Sequence, residues 1–154
     1  MQYTARYSSH IKATPAQAWA WMTSVESISK EMSPILRMTM PAGVKDLQSI
    51  SFESGKPLFR SWFLLFKILP FDFSDFTLEK IEPEISFVEQ STMGSMRSWR
   101  HERRVEPANG GCLLIDELTF EPRFAGWLAN KFVGIFFSHR HRQLLKYLGH
   151  AEMA

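Results

Sequence analysis

The chain has a single cysteine, Cys112, which closes no internal disulfide, and nothing else in the composition points to an oxidising compartment. An excess of charge of one sign is also lacking. The formal net charge is +2 over 154 residues, so no global field argues for nucleic acid or an anionic membrane as a partner. Long hydrophobic runs are missing too: the strongest, from Leu58 to Leu69, is interrupted by Arg60 and Lys67 and is too short to span a bilayer. The N-terminal stretch MQYTARYSSHIKATP has no apolar signal core, so a cytoplasmic location is expected rather than secretion. No phosphate-binding loop, dinucleotide glycine fingerprint, zinc spacing, internal repeat or interdomain linker is present, and no cofactor is expected.

What is abundant is aromatic surface. Thirteen Phe and five Trp lift the aromatic share to 14%, while 45% hydrophobic and 22% charged residues are ordinary for a globular chain. Such a composition suits either a roomy apolar interior or a solid Phe-rich core. Residues 1–154 are long enough for one domain that buries a core without disulfide or metal.

Periodicity gives the element order. Tyr3, Ala5, Tyr7, Ser9 and Ile11 alternate with polar residues, predicting a strand wet on one face. Thr14-Pro15-Ala16-Gln17 supplies an N-cap, a helix-starting proline and a capping-box glutamine, so a helix begins there. A second short helix is expected from Val25 to about Met32, ended by Pro34. Strands follow at 35–40, 58–67, 73–82, 85–91, 96–106 and 112–121, with 41–57 read as a loop or helical turn. The connections are short and turn-rich, which predicts an antiparallel meander.

The last apolar segment, from Phe124 to Leu148, reads as one long helix. At about 100° per residue, Ala125, Leu128, Ala129, Phe132, Val133, Phe136, Phe137, Leu144, Tyr147 and Leu148 share one stripe. Arg140 falls near its centre. His141 and Arg142 fall outside and are expected in solvent, with His139 near the boundary. Trp127, Ile135 and Leu145 also lie off the stripe. His139 and His141 project to different sides, so they are not expected to chelate one metal.

This order, with Trp99-Arg100-His101, the strand containing Asp116 and the terminal Phe137-Ser138-His139-Arg140-His141-Arg142, resembles the START and birch-pollen-allergen-like superfamily, also called SRPBCC, and within it bacterial proteins of unassigned function. The resemblance implies an α+β helix-grip fold: a curved antiparallel sheet of about seven strands wrapped around a long C-terminal helix, with two short helices after the first strand. It also implies a central cavity. Members of the superfamily include lipid carriers, polyketide cyclases, hormone receptors and chaperone activators, so the fold alone does not fix the function.

Strand alternation nominates the polar groups. On 96–106 the face carrying Arg97, Trp99, His101, Arg103 and Val105 is expected to point inward, and on the next strand Cys112, Leu114, Asp116, Leu118 and Phe120. A six-residue connection pairs His101 with Asp116; a two-residue change of register pairs Arg103 with Asp116 instead. With Arg140 arriving from the helix, a cavity would hold His101, Asp116 and Arg140, with Arg103 at its rim. Trp99, Leu118, Phe132 and Phe136 would form the apolar wall. One reading is a binder or carrier of a small hydrophobic molecule with a polar or acidic end. In another, Asp116 neutralises Arg140 or His101 as a buried pair, or Arg140 snorkels to water. An enzymatic version would use His101 oriented by Asp116 as a general base in a cyclase-like reaction, and an interaction module of chaperone-activator type is a third class. The basic stretch Arg97–Arg104 splits between two strand faces, which argues against nucleic acid. Surplus Phe and Trp in 58–73 suit core, pocket mouth or a homodimer contact.

Overall fold

The structure is a computed structural model and describes residues 1–151. The chain runs β1 (Tyr3–Ile11), α1 (Pro15–Thr23), α2 (Val25–Met32), β2 (Leu36–Met38), β3 (Pro57–Leu65), β4 (Leu69–Glu82), β5 (Ser86–Met93), β6 (Met96–Ala108), β7 (Gly111–Pro122) and α3 (Gly126–Leu148), with one 3-10 turn at Leu47–Ser49. All seven strands form one antiparallel sheet in the order β1-β7-β6-β5-β4-β3-β2. Only β1 leaves chain order, and it does so to pair with β7. This is the helix-grip α+β architecture.

The local rules that start each element are visible. Thr14 accepts from the Gln17 amide while the Gln17 side chain accepts from Thr14 N, closing the capping box that starts α1. Ser24 ends α1 and caps α2 in turn. The helix α3 packs on β1 and β7, with α2 on its other side. Tyr7 stacks on Phe137 with ring centroids 5.7 Å apart, and Trp99, Phe120 and Phe137 meet beneath the helix.

The structure decides between the two β6–β7 registers and corrects the expected placement of several side chains. The β6–β7 hairpin closes through a two-residue Asn109-Gly110 turn between the paired residues Ala108 and Gly111, so Arg103, not His101, lies opposite Asp116. Gly110 has φ +78°, the left-handed region in which glycine is unstrained. At the other end of β6 a bulge between Met96 and Ser98 turns Met96 inward and Arg97 out to solvent. On α3, His141 is buried although the helical wheel puts it in water, because β1 and the sheet grip more of the helix than one stripe. Arg142 is exposed, His139 bonds the Ser33 carbonyl at 2.7 Å, and Leu128 and Tyr147, both on the predicted apolar stripe, remain about half exposed.

Candidate functional site

Beneath α3, side chains from α2, β6, β7 and α3 converge in a fully buried ionic network. Arg103 is its hub. Its Nη1 and Nη2 donate to Glu31 Oε2 and Oε1 at 2.9 and 2.6 Å, while Nε and Nη2 donate to Asp116 Oδ1 and Oδ2 at 2.9 and 3.2 Å. Asp116 also accepts from His101 Nε2 at 2.5 Å and from His141 Nε2 at 2.7 Å. His141 Nδ1 lies 2.7 Å from Ser9 Oγ on β1. Glu31 takes two further bonds, from Trp21 Nε1 at 2.6 Å and from Arg140 Nε at 3.2 Å.

The charges in this network decide one another. Burial alone would push both carboxyls up, yet Arg103 and its neighbours hold Glu31 below, and Asp116 well below, the usual carboxylate range. Burial lowers the Arg103 guanidinium, but the two carboxylates outweigh it and raise it above its ordinary value. His101 is pushed down by burial despite Asp116, which favours the neutral ring. Arg140 is lowered by burial and by the like charge of Arg103, and Glu31 opposes that shift.

Against one side of the network lies a cavity of about 200 Å³. Its wall is built from Phe63, Phe87, Phe136, Phe137 and a group of methionines, Met32, Met38, Met40 and Met93. Five polar side chains break the apolar surface: Arg140, His101 and Glu89, which are buried, and Ser29 and the exposed Arg37. Glu89 is buried and accepts from Ser91 Oγ at 2.8 Å; burial raises its carboxyl to about 7, partly offset by that bond, by Trp99 and by Arg140. The Arg140 guanidinium lies 5.1 Å from the Phe137 ring centroid; among the described residues its hydrogen bond is the one from Nε to Glu31, and the two Nη groups are not sealed away from solvent but left to the cavity that Arg140 lines. A second, almost wholly apolar chamber of about 430 Å³ adjoins the first, and the two share Phe63, Met93, Trp99 and Phe136 as walls.

The eight residues nominated from sequence divide three ways. Trp99, His101, Phe136 and Arg140 line the inner cavity, and Trp99, Phe132 and Phe136 line the outer chamber. Arg103, Asp116 and Leu118 are fully buried and line neither; Arg103 is the hub of the network and not a rim residue. Arg140 pairs with Glu31, not with Asp116. Sequence reasoning passed over Glu31, Glu89 and His141. Both carboxyls left a signal: Glu89 shares strand parity with Phe87 and Met93, and Glu31 falls one turn after Ile28 on the helix face that ends in Met32. Among the described residues no cluster of His, Cys, Asp and Glu is arranged to hold a metal.

A curved sheet closed by a C-terminal helix over a greasy cavity with a charged end is the helix-grip fold. Solved structures of the same fold agree across nearly the whole chain. Protein CV1439 from Chromobacterium violaceum matches with TM-score 0.69 at 13% identity, covering 95% of this chain and 97% of that one. The AHSA1 (SPO3351) protein from Silicibacter pomeroyi matches with TM-score 0.64 at 16% identity, over 95% and 97%. Ara h 8.0201 matches with TM-score 0.57 at 13% identity, over 94% and 99%. At these identities the likeness concerns the fold. No curated protein matches the sequence. The family is shown by a family model that matches residues 9–148: the chain belongs to the family described as Domain of unknown function (DUF8410).

Proposed function

We propose that this protein binds a small hydrophobic molecule with a polar or acidic end, as a carrier or receptor and not as a catalyst. The apolar body fills the outer chamber, and the polar end passes Trp99 and Phe136 to reach Arg140, Glu89 and His101. The observation that carries this reading is that Arg140, which lines the inner cavity, has two Nη groups free of hydrogen bonds among the described residues, beside a network in which Arg103 and Asp116 are each engaged four times. Donors of a charged group that open on a cavity are free to take an acceptor on a ligand, and a hydrogen bond to a charged group is among the stronger ones. Protonated Glu89 adds a second donor below pH ~7, so an acidic end is held best at neutral and lower pH.

Native mass spectrometry of freshly purified protein should show a bound organic mass. Two apolar fluorophores probe the polar end separately: anilinonaphthalene sulfonate, which is anionic, and phenylnaphthylamine, which is neutral. Arg140→Met should weaken the sulfonate by about ten-fold or more, the scale of a hydrogen bond to a charged group, and leave the neutral probe nearly unchanged. Equal affinities for the two probes in both proteins would remove the role given to Arg140.

One observation favours a second, enzymatic reading. His101 is held by Asp116 through Nε2 while the ring lines the cavity 4.0 Å from Glu89, the arrangement of an oriented general base. On that reading the protein acts on a polyketide-type substrate, and His101→Ala abolishes turnover while probe binding survives.

A further inference from the structure

Around the mouth of the outer chamber the protein is greasy on its outside as well. Phe124 and Trp127, at the start of α3, are 70% and 72% exposed, and Ile68, in the β3–β4 turn, is 83% exposed. Phe66, Leu69, Phe71 and Leu128 are exposed beside them. The two groups adjoin: Phe71 lies 5.2 Å from the Phe132 ring, and Phe71, Phe124 and Leu128 share the chamber lining. Single exposed apolar residues are normal, but a cluster from two elements at a cavity mouth marks a surface that meets something.

The charge around the cluster says what. Residues 54–71 contain no Asp or Glu, and neither do residues 122–151. Lys67, Arg123 and Lys131 are exposed in these segments. The nearest acid in sequence, Asp72, is engaged by the Ser95 hydroxyl and by the amides of Phe73 and Ser95. A chain with almost no net charge thus carries a locally cationic, aromatic tip. Trp and Phe rings settle at the headgroup level of a bilayer, and Lys and Arg beside them pair with anionic headgroups. A second copy of the chain fits less well, because a two-fold contact through this tip would bring its own cations together. Among the described residues no helix is long and apolar enough to cross a membrane, so the contact is peripheral.

We propose that the tip formed by the β3–β4 turn and the start of α3 docks on the surface of an anionic lipid bilayer and opens the outer chamber towards the acyl chains. Docking stands on the tip itself; that it delivers a ligand to the chamber rests on the binding function proposed above.

Cosedimentation with phosphatidylcholine vesicles, with and without phosphatidylglycerol, tests it. The protein should pellet with the anionic vesicles, and less so as salt is raised. Trp127→Ser with Ile68→Ser should weaken binding by about ten-fold or more, the scale of removing two large apolar groups from lipid contact. Lys67→Glu with Lys131→Glu should erase the preference for anionic vesicles. None of these four residues lines either chamber, so thermal melting and phenylnaphthylamine titration should match wild type. Protein that stays in the supernatant overturns docking, as do variants that pellet like wild type. A concentration-dependent dimer abolished by Trp127→Ser would replace the bilayer with a second copy. Loss of probe binding with vesicle binding intact would instead strike the ligand reading and leave docking standing.

Discussion

Glu31→Gln should damage the protein far more than its place on a short surface helix suggests. The side chain is fully buried and accepts from Arg103 twice, from Arg140 and from Trp21. Glutamine keeps the shape and removes the charge. Arg103 would still be held by Asp116, but Arg140, whose hydrogen bond among the described residues is to Glu31, would lose its paired carboxylate and keep only the more remote charge of Asp116. Breaking a buried pair from one side costs about 3–5 kcal/mol, a large part of the ~5–15 kcal/mol that holds a domain together. For a chain of this size that corresponds to a fall in Tm of roughly 6–20 °C. Arg140→Met alone should cost only about 1–2 kcal/mol, because Glu31 keeps both bonds to Arg103. Adding it to Glu31→Gln should therefore restore at least ~1 kcal/mol, since the stranded charge is gone. Urea unfolding of the four proteins completes the cycle. A Glu31→Gln cost below about 1 kcal/mol, or a double variant no better than Glu31→Gln, would refute the network as drawn.

Glu89→Gln should behave in the opposite way. Its carboxyl is raised from 4.5 to about 7 in the folded state, so between those values the unfolded chain ionises while the folded one keeps its proton, and stability falls as pH rises. At about 1.4 kcal/mol per unit the loss is about 3 kcal/mol, so the variant should be more stable than wild type at pH ~8 and not near pH ~4. Comparing the two proteins at each pH cancels the opposite trend from His101, whose lowered value removes stability as pH falls. Glu31 and Asp116, both lowered, contribute stability above the usual carboxylate range that is lost as pH falls through their folded values; acid unfolding should thus be steep and eased in Asp116→Asn, measured relative to its own neutral-pH stability. Gly110→Val should cost about 1–2 kcal/mol in thermal unfolding because φ +78° strains a β-branched side chain, whereas Gly110→Asn should be nearly neutral.

The elements that were easiest to read are those in which one local rule acts alone. Alternation in β1, the capping box of α1 and the apolar run of α3 each specify their structure without help from distant residues, and Arg140 was legible because it interrupts a helical stripe. The site was harder because its members come from α2, β6, β7 and α3 and meet only after the sheet closes. The register of β6 against β7 turned on whether Asn109-Gly110 alone makes the turn, and a shift of two residues exchanges His101 for Arg103 opposite Asp116. It does not separate His101 from Asp116, since a diagonal neighbour on the same face is still within reach. His141 was misplaced because a wheel assumes one buried side, whereas α3 is held by β1 as well as by α2. Glu31 and Glu89 are acids on otherwise apolar faces, which pattern reasoning assigns to solvent until their partners are known.

The two ends of the cavity differ in stiffness. Behind Arg140 and His101, the bonds among Arg103, Glu31 and Asp116 tie the elements together, so moving that hub means breaking several bonds at once. Elsewhere the walls of both chambers are largely methionine and phenylalanine, and Met side chains change rotamer at little cost. A guest would therefore be read strictly at its head and loosely along its body. Homologous molecules that share one polar terminus but differ in chain length or branching should compete for the same site with similar affinity.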